Sequence, residues 1–265
     1  MRARRLGSAE EFLETTTALR AADPVRTNVL GSVATGVAEG RRYEHELWWV
    51  VEDDGGEVVG AALRTAPYKL LLGPMPPEAA DALADDVVAL GEAPPGLVGP
   101  APVAARVAER AGWPTRVATQ ERILVLDALV PPVGIPGEVR AATEADVDLG
   151  AAWVEQFARD ADTFVPDPRE SFVARLSGNR FWVVDDEPVS YAGHAPLVES
   201  GGVTVARVGP VYTPAEHRRR GYGAAVTAAV TAELLEVADV VMLFTDAANP
   251  TSNGVYERLG YRVVG

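Results

Sequence analysis

The alternation of apolar and polar positions is clearest in the second half of the chain. Residues 138–141 (EVRA) read as a short strand, and Thr143 followed by Asp146 three residues later predicts a helix N-cap box. The helix continues through Trp153 and Phe157, and a second helical stretch covers residues 169–176. Residues 180–184 (RFWVV) are strand-like, 185–187 (DDE) form a turn, and 188–197 return as the hairpin partner. Residues 203–212 predict another strand, 213–220 a polar loop and 221–237 a helix. The unbroken apolar run 240–244 (VVMLF) has the length and composition of a buried central strand. A helix over 252–259 stops at Gly260, a C-cap glycine, and 261–264 begin a last strand.

The first half repeats this order. Residues 47–52 and 57–64 flank a turn at 53–56 (DDGG) and predict a hairpin. A strand at 69–72, a helix at 78–90, a short strand at 97–98, a helix at 103–111 and a strand at 122–126 follow. Between the halves lies VPPVGIPG, residues 130–137, whose three prolines and two glycines cannot sustain a helix or a central strand. The expected organisation is a domain over 1–130, a linker at 131–137 and a second domain over 138–265 of the same α/β (α+β) class.

Composition narrows the chemistry. The 265 residues carry 24 basic and 38 acidic side chains, a net charge of −14. That balance argues against nucleic acid or a membrane surface as partner, since both need positive charge. There is no cysteine, which removes thiolate nucleophiles and cysteine-held metals, and the three histidines (His45, His194, His217) are far apart, so no metal is expected. The basic start (MRARR) runs into Glu10, Glu11 and Glu14 instead of an apolar segment, unlike a signal peptide. The most apolar stretch, 224–244, is broken by Glu233, Glu236 and Asp239, so a cytoplasmic protein is expected.

The strongest local signal is Arg218-Arg219-Arg220-Gly221-Tyr222-Gly223-Ala224, between an apolar strand and a helix. A glycine turn that opens a helix leaves backbone N–H groups unpaired, and the helix dipole favours an anion there. Three arginines add fixed positive charge, so the turn suits a phosphate or pyrophosphate. No Lys-Ser/Thr pair follows the glycines, and Val226 stands where a dinucleotide fingerprint needs its third glycine.

Arg218-x-x-Gly221-x-Gly223 matches the R/Q-x-x-G-x-G/A acyl-CoA loop of the GNAT superfamily of N-acetyltransferases. Residues 208–213 (VGPVYT) look like the strand before that loop, and 249–261 (NPTSNGVYERLGY) resemble the N-x-x-S-x-x-x-Y-x-x-x-G-[FY] segment after it. The resemblance covers about half of the chain, from Glu138 onward. Together with the repeated element order, it implies two GNAT-like domains, each a mixed, mostly antiparallel sheet flanked by helices, with acetyl-CoA as co-substrate in a V-shaped split between strands 203–212 and 240–244. Pantetheine is then expected along Val211, Tyr212 and Thr213, and the pyrophosphate on the segment Arg218, Arg219, Arg220, Gly221, Tyr222, Gly223 and Ala224. Asn249 and Asn253 are expected beside the cofactor, and Tyr256 as the acid that protonates the departing thiolate.

Two departures from the family pattern stand out. The family commonly carries a Glu on the strand before the loop, where this chain has Arg207; His194 on the preceding strand is the substitute candidate for the base. The family also adds a strand after the Gly-Phe/Tyr segment, whereas this sequence stops at Gly265; either the strand over 261–264 ends the sheet, or a strand from the other half or from another subunit completes it. An open edge of that kind would favour a homodimer. In the first half, the position of the loop reads Gly73-Pro74-Met75-Pro76-Pro77, without arginine and poor in amides, so that half is expected to be a degenerate copy. The expected activity is acetyl transfer from acetyl-CoA to a primary amine of a small molecule by direct transfer. A non-catalytic acyl-CoA-binding or regulatory module is the alternative.

Overall fold

The computed structural model describes all 265 residues and divides into two compact units, residues 1–118 with 198–203, and residues 119–197 with 204–265. The first unit contains β1 (Arg2–Leu6), α1 (Ala9–Thr15), α2 (Thr17–Ala22), α3 (Asn28–Ala38), β2 (Glu46–Glu52), β3 (Val58–Thr65), β4 (Leu70–Leu72), α4 (Pro77–Ala89), β5 (Leu97–Val98) and α5 (Ala101–Ala111). Its sheet runs β1-β2-β3-β4-β5, antiparallel except for the parallel β4–β5 pair. Alternation along β2 splits its apolar residues between two cores. Trp49 and Val51 pack with Leu83 and Val87 of α4, while Trp48 and Val50 pack with Phe12 of α1 and Leu30 of α3.

The second unit contains β6 (Glu121–Leu126), β7 (Glu138–Ala141), α6 (Val147–Asp160), α7 (Pro168–Val173), β8 (Arg180–Val184) and β9 (Glu187–His194). The chain then contributes β10 (Val198–Ser200) to the first unit, where the buried Arg20 donates from Nη1 to Ser200 Oγ at 2.9 Å. It continues in the second unit as β11 (Val203–Tyr212), α8 (Tyr222–Leu234), β12 (Val240–Asp246), α9 (Pro250–Arg258) and β13 (Tyr261–Val263). The predicted N-cap box is present: Thr143 and Asp146 cap each other reciprocally at the start of the turn leading into α6. One core, with Val226 and Val230 of α8, covers one face of the sheet. The other, with Trp153, Phe172 and Phe181, covers the opposite face.

The expected boundary at residue 130 is corrected. β6 does not join the first sheet but lies in the second, whose order is β13-β6-β12-β11-β9-β8-β7. It pairs antiparallel with β12, from Glu121↔Asp246 to Val125↔Met242, and with β13, from Leu126↔Tyr261 to Leu124↔Val263. The physical reason is that β12 and β13 would otherwise leave unpaired ladder groups along their facing edges. Gly260, at φ +97, allows the fit, because any Cβ there would strike the carbonyl of Ala128. The missing strand therefore comes from within the chain, and closing this gap requires no second subunit.

Candidate functional site

Strands β11 and β12 run parallel and pair only from Val205↔Val240 to Val208↔Leu243, although both continue beyond that rung. The remaining part of β11 diverges, leaving an edge from Gly209 to Tyr212. A bulge starts the divergence: on the other side of β11 the register moves from Val208↔His194 to Val211↔Ala192, one extra residue in β11. Ser190 Oγ donates to the Tyr212 carbonyl at 3.1 Å, which turns Tyr212 toward β9. By strand alternation, Val211 and the amide of Thr213 are then presented to the open side. The Thr213 carbonyl is taken by Arg218 Nε at 2.9 Å.

The turn after β11 has the backbone the sequence predicts. Arg219 (φ +62) and Gly221 (φ +86) are left-handed, and Gly221 is the N-cap of α8 with no side-chain cap. No carbonyl of the protein accepts from the amides between Arg219 and Ala224; the first bonded amide is Ala225, to Gly221 O at 3.0 Å. This cradle of free donors opens a 13-residue helix. A Cβ on Gly221 would lie 2.5 Å from Ile135 Cδ1, and one on Gly223 would lie 3.2 Å from Thr213 Oγ1, so both positions favour glycine. The arginines divide their work. Arg218 bonds Asp160 at 2.6 Å and lies over the Tyr212 ring, so it braces the turn, whereas Arg219 and Arg220 are exposed and make no side-chain bond.

Helix α9 presents Asn253 and Tyr256 one turn apart, on one face. Asn253 Nδ2 donates to the carbonyls of Asp246 and Ala247, at 3.2 and 3.3 Å, while its buried Oδ1 has no partner. Asn249 instead caps α9, its Oδ1 accepting from Ser252 N at 3.1 Å. The half-buried ring of Tyr256 meets Tyr261 edge-on at 6.2 Å, and the Tyr261 hydroxyl is tied to Thr231 Oγ1 at 2.7 Å. No such bond holds the Tyr256 hydroxyl, and desolvation pushes its pKa up to about 12.

The base candidate His194 and Arg207, which stands where the family carries a Glu, lie on opposite faces of the sheet. His194 pairs with Val208, whose side chain packs beneath α8, so the imidazole lies on that face; its Nδ1 bonds the Ala195 carbonyl at 2.8 Å and its Nε2 sits against Gly178. Arg207 points to the opposite face, with its guanidinium 6.0 Å from the Phe244 ring. Burial, and then the like charge of Arg175, lower its pKa to about 10, against the opposing pull of Glu121. Neither Arg175 nor Glu121 lies in a motif that points to this site. Glu121 lies on β6, and only the need for one more strand could have brought it to this site.

The equivalent turn in the first unit is closed. Pro76 caps α4 and Pro77 occupies its first turn, the Met75 side chain packs on Gly60, and Gly99 comes so close to the Leu72 carbonyl that a Cβ would lie 2.5 Å from it. No comparable opening separates β4 from β5.

Residues 203–264, which span this split, loop and α9, match the family model for FR47-like protein. No curated protein matches the sequence. A GNAT-family acetyltransferase from Colwellia psychrerythraea superposes with a TM-score of 0.63 at 9% identity, covering 100% of this chain and 97% of its own. Over its whole length the chain shares the fold of that acetyltransferase. A tandem GNAT protein from the clavulanic acid biosynthesis pathway gives a TM-score of 0.58 at 16% identity, covering 99% and 95% of the two chains. A GCN5-related N-acetyltransferase from Kribbella flavida gives 0.54 at 20%, covering 90% and 92%. These likenesses span nearly the whole molecule and show its fold. No helix is long and apolar enough to cross a membrane, and no group of three or more acidic or histidine side chains could hold a metal ion.

Proposed function

We propose that the second unit is an acetyl-CoA-dependent N-acyltransferase acting directly on a primary amine of a small molecule, and that the first unit is a copy of the fold without a cofactor site. The observation that carries this reading is the run of unpaired amides from Arg219 to Ala224 beside the open edge of β11. The donor set fits acyl-CoA. The amides and the two unengaged arginines suit a pyrophosphate, Val211 suits an extended amide-bearing arm, and the orphaned Asn253 Oδ1 suits an amide N–H. The thioester supplies an activated acyl group: a C–N bond forms, the C–S bond breaks, and the sulfur takes up a proton.

Tyr256 is the residue for that proton. With its pKa near 12 the phenol stays protonated across the neutral range. The same desolvation raises the proton affinity of a thiolate formed beside it, above its ordinary value of about 8.5. His194 donates from Nδ1 to the Ala195 carbonyl, and its Nε2 sits against Gly178. It lies on the face opposite Arg207, and that separation favours one alternative, an acyl-CoA-binding module without a base.

Acetyl-CoA is incubated with a panel of amines and scored by free-thiol release, alongside thermal shift with CoA alone. Stabilisation with turnover supports the transferase. Stabilisation without turnover on a broad panel supports the module, and no stabilisation overturns both.

A further inference from the structure

We infer that α6 sets the spacing between the two parts of the cofactor site, with Gln156 and Asp160 as its positioning residues. This rests on the acyl-CoA reading above and adds residues that act on the cofactor only through others. The need for such a brace follows from the split. Beyond Val208 the end of β11 is unpaired on the β12 side, so its strand neighbour there is β9, through Val211↔Ala192 and Tyr212↔Tyr191. The cradle amides, by contrast, lead into α8, which is seated on the core through Val226 and Val230. A ligand that runs along the edge and also fills the cradle therefore needs the open end of β11 held at a fixed place relative to α8.

One stripe of α6 supplies that hold. Trp153, Gln156 and Asp160 recur at spacings of three and four, so they share one face of the helix. The Trp153 ring meets the Tyr212 ring at 6.2 Å, and Gln156 Oε1 accepts from the Tyr212 hydroxyl at 2.8 Å. One turn further on, Asp160 Oδ2 accepts from Arg218 Nη2 at 2.6 Å, while Arg218 Nε donates to the Thr213 carbonyl at 2.9 Å. The last residue of β11 and the first arginine of the turn are thus fastened to the same helix. Arg218 is a link in this brace, and the diphosphate is left to the amides, Arg219 and Arg220. Tyr212 is buried, whereas Asp160 and Arg218 are half-exposed. Solvent screens that ion pair, so its loss costs little global stability and acts on alignment instead.

The experiment compares CoA, which spans edge and cradle, with 3′-phospho-ADP, which reaches only the cradle, by titration calorimetry on the full chain. Gln156→Leu combined with Asp160→Asn should raise the Kd of CoA about tenfold or more, because misalignment lowers the effective concentration of the second contact. The Kd of 3′-phospho-ADP should stay within about twofold, since a ligand of one part does not sense the spacing. Asp160→Asn alone should fold and show the same selectivity to a smaller degree, so a double variant that fails to fold leaves the comparison intact. Equal weakening of both ligands would make α6 a local support of the cradle, and an unchanged Kd for CoA would make it a bystander; either result overturns the inference. CoA binding to the unaltered protein without any binding of 3′-phospho-ADP overturns the division into two parts. If CoA itself does not bind the unaltered protein, the acyl-CoA reading fails, and the inference falls with it.

Discussion

Single residues divide into those that do chemistry and those that hold them in place. Tyr256→Phe removes only the hydroxyl from a ring fixed against Tyr261, so kcat should fall by about a hundredfold or more while CoA affinity is retained. Unchanged turnover in a steady-state assay would remove Tyr256 from the mechanism. Because burial lifts its pKa to about 12, the phenol should not limit kcat on the alkaline side at pH 10. A loss of turnover centred near pH 10 that disappears in Tyr256→Phe would contradict that. Asp146 works structurally: the Arg140 guanidinium, aided by Thr143, holds its carboxyl down to about 2. Its stabilisation is therefore complete above the ordinary carboxylate range near 4 and disappears as pH falls through about 2. Asp146→Asn should cost about 2 kcal/mol at neutral pH in denaturant unfolding, and little at pH 2. Tyr256 and the Thr143–Asp146 box were legible because their partners lie within a few residues or a motif spacing. Arg175 was not, since its neighbour Arg207 is reached only through the sheet.

At the level of elements, the turn into α8 was readable because glycine spacing reports local backbone geometry. Gly221→Val places a branched side chain at φ +86 against Ile135, so stabilisation by CoA should vanish in a thermal-shift titration; undiminished affinity would sink the loop assignment. Strand β6 is the opposite case. Its apolar pattern correctly predicts a strand, but alternation along a strand says nothing about which sheet receives it. Chain order suggested the first sheet, and backbone pairing along β12 and β13 prevailed.

For the whole molecule, net charge excludes partners better than it finds sites. A chain at −14 still builds a local cradle from amides and three consecutive arginines. The boundary between the units follows backbone pairing instead of the Pro/Gly-rich segment. A fragment starting at Glu138 lacks β6 and should show no cooperative thermal transition, whereas one starting at Thr119 should regain it. Equal cooperativity of the two by near-ultraviolet circular dichroism would show that β6 is dispensable.

The ends of β6 meet Asp246 and Tyr261, near the close of the sequence. During synthesis on the ribosome, the segment that completes the second sheet emerges early and has nothing to pair with until residues 240–263 are translated. Its closure is a long-range event, entropically slow compared with forming the hairpins around it. An apolar strand left waiting in this way is exposed to mispairing with other nascent chains. Slowing translation after Val130 should therefore lower the soluble yield of this protein more than slowing it before Glu121.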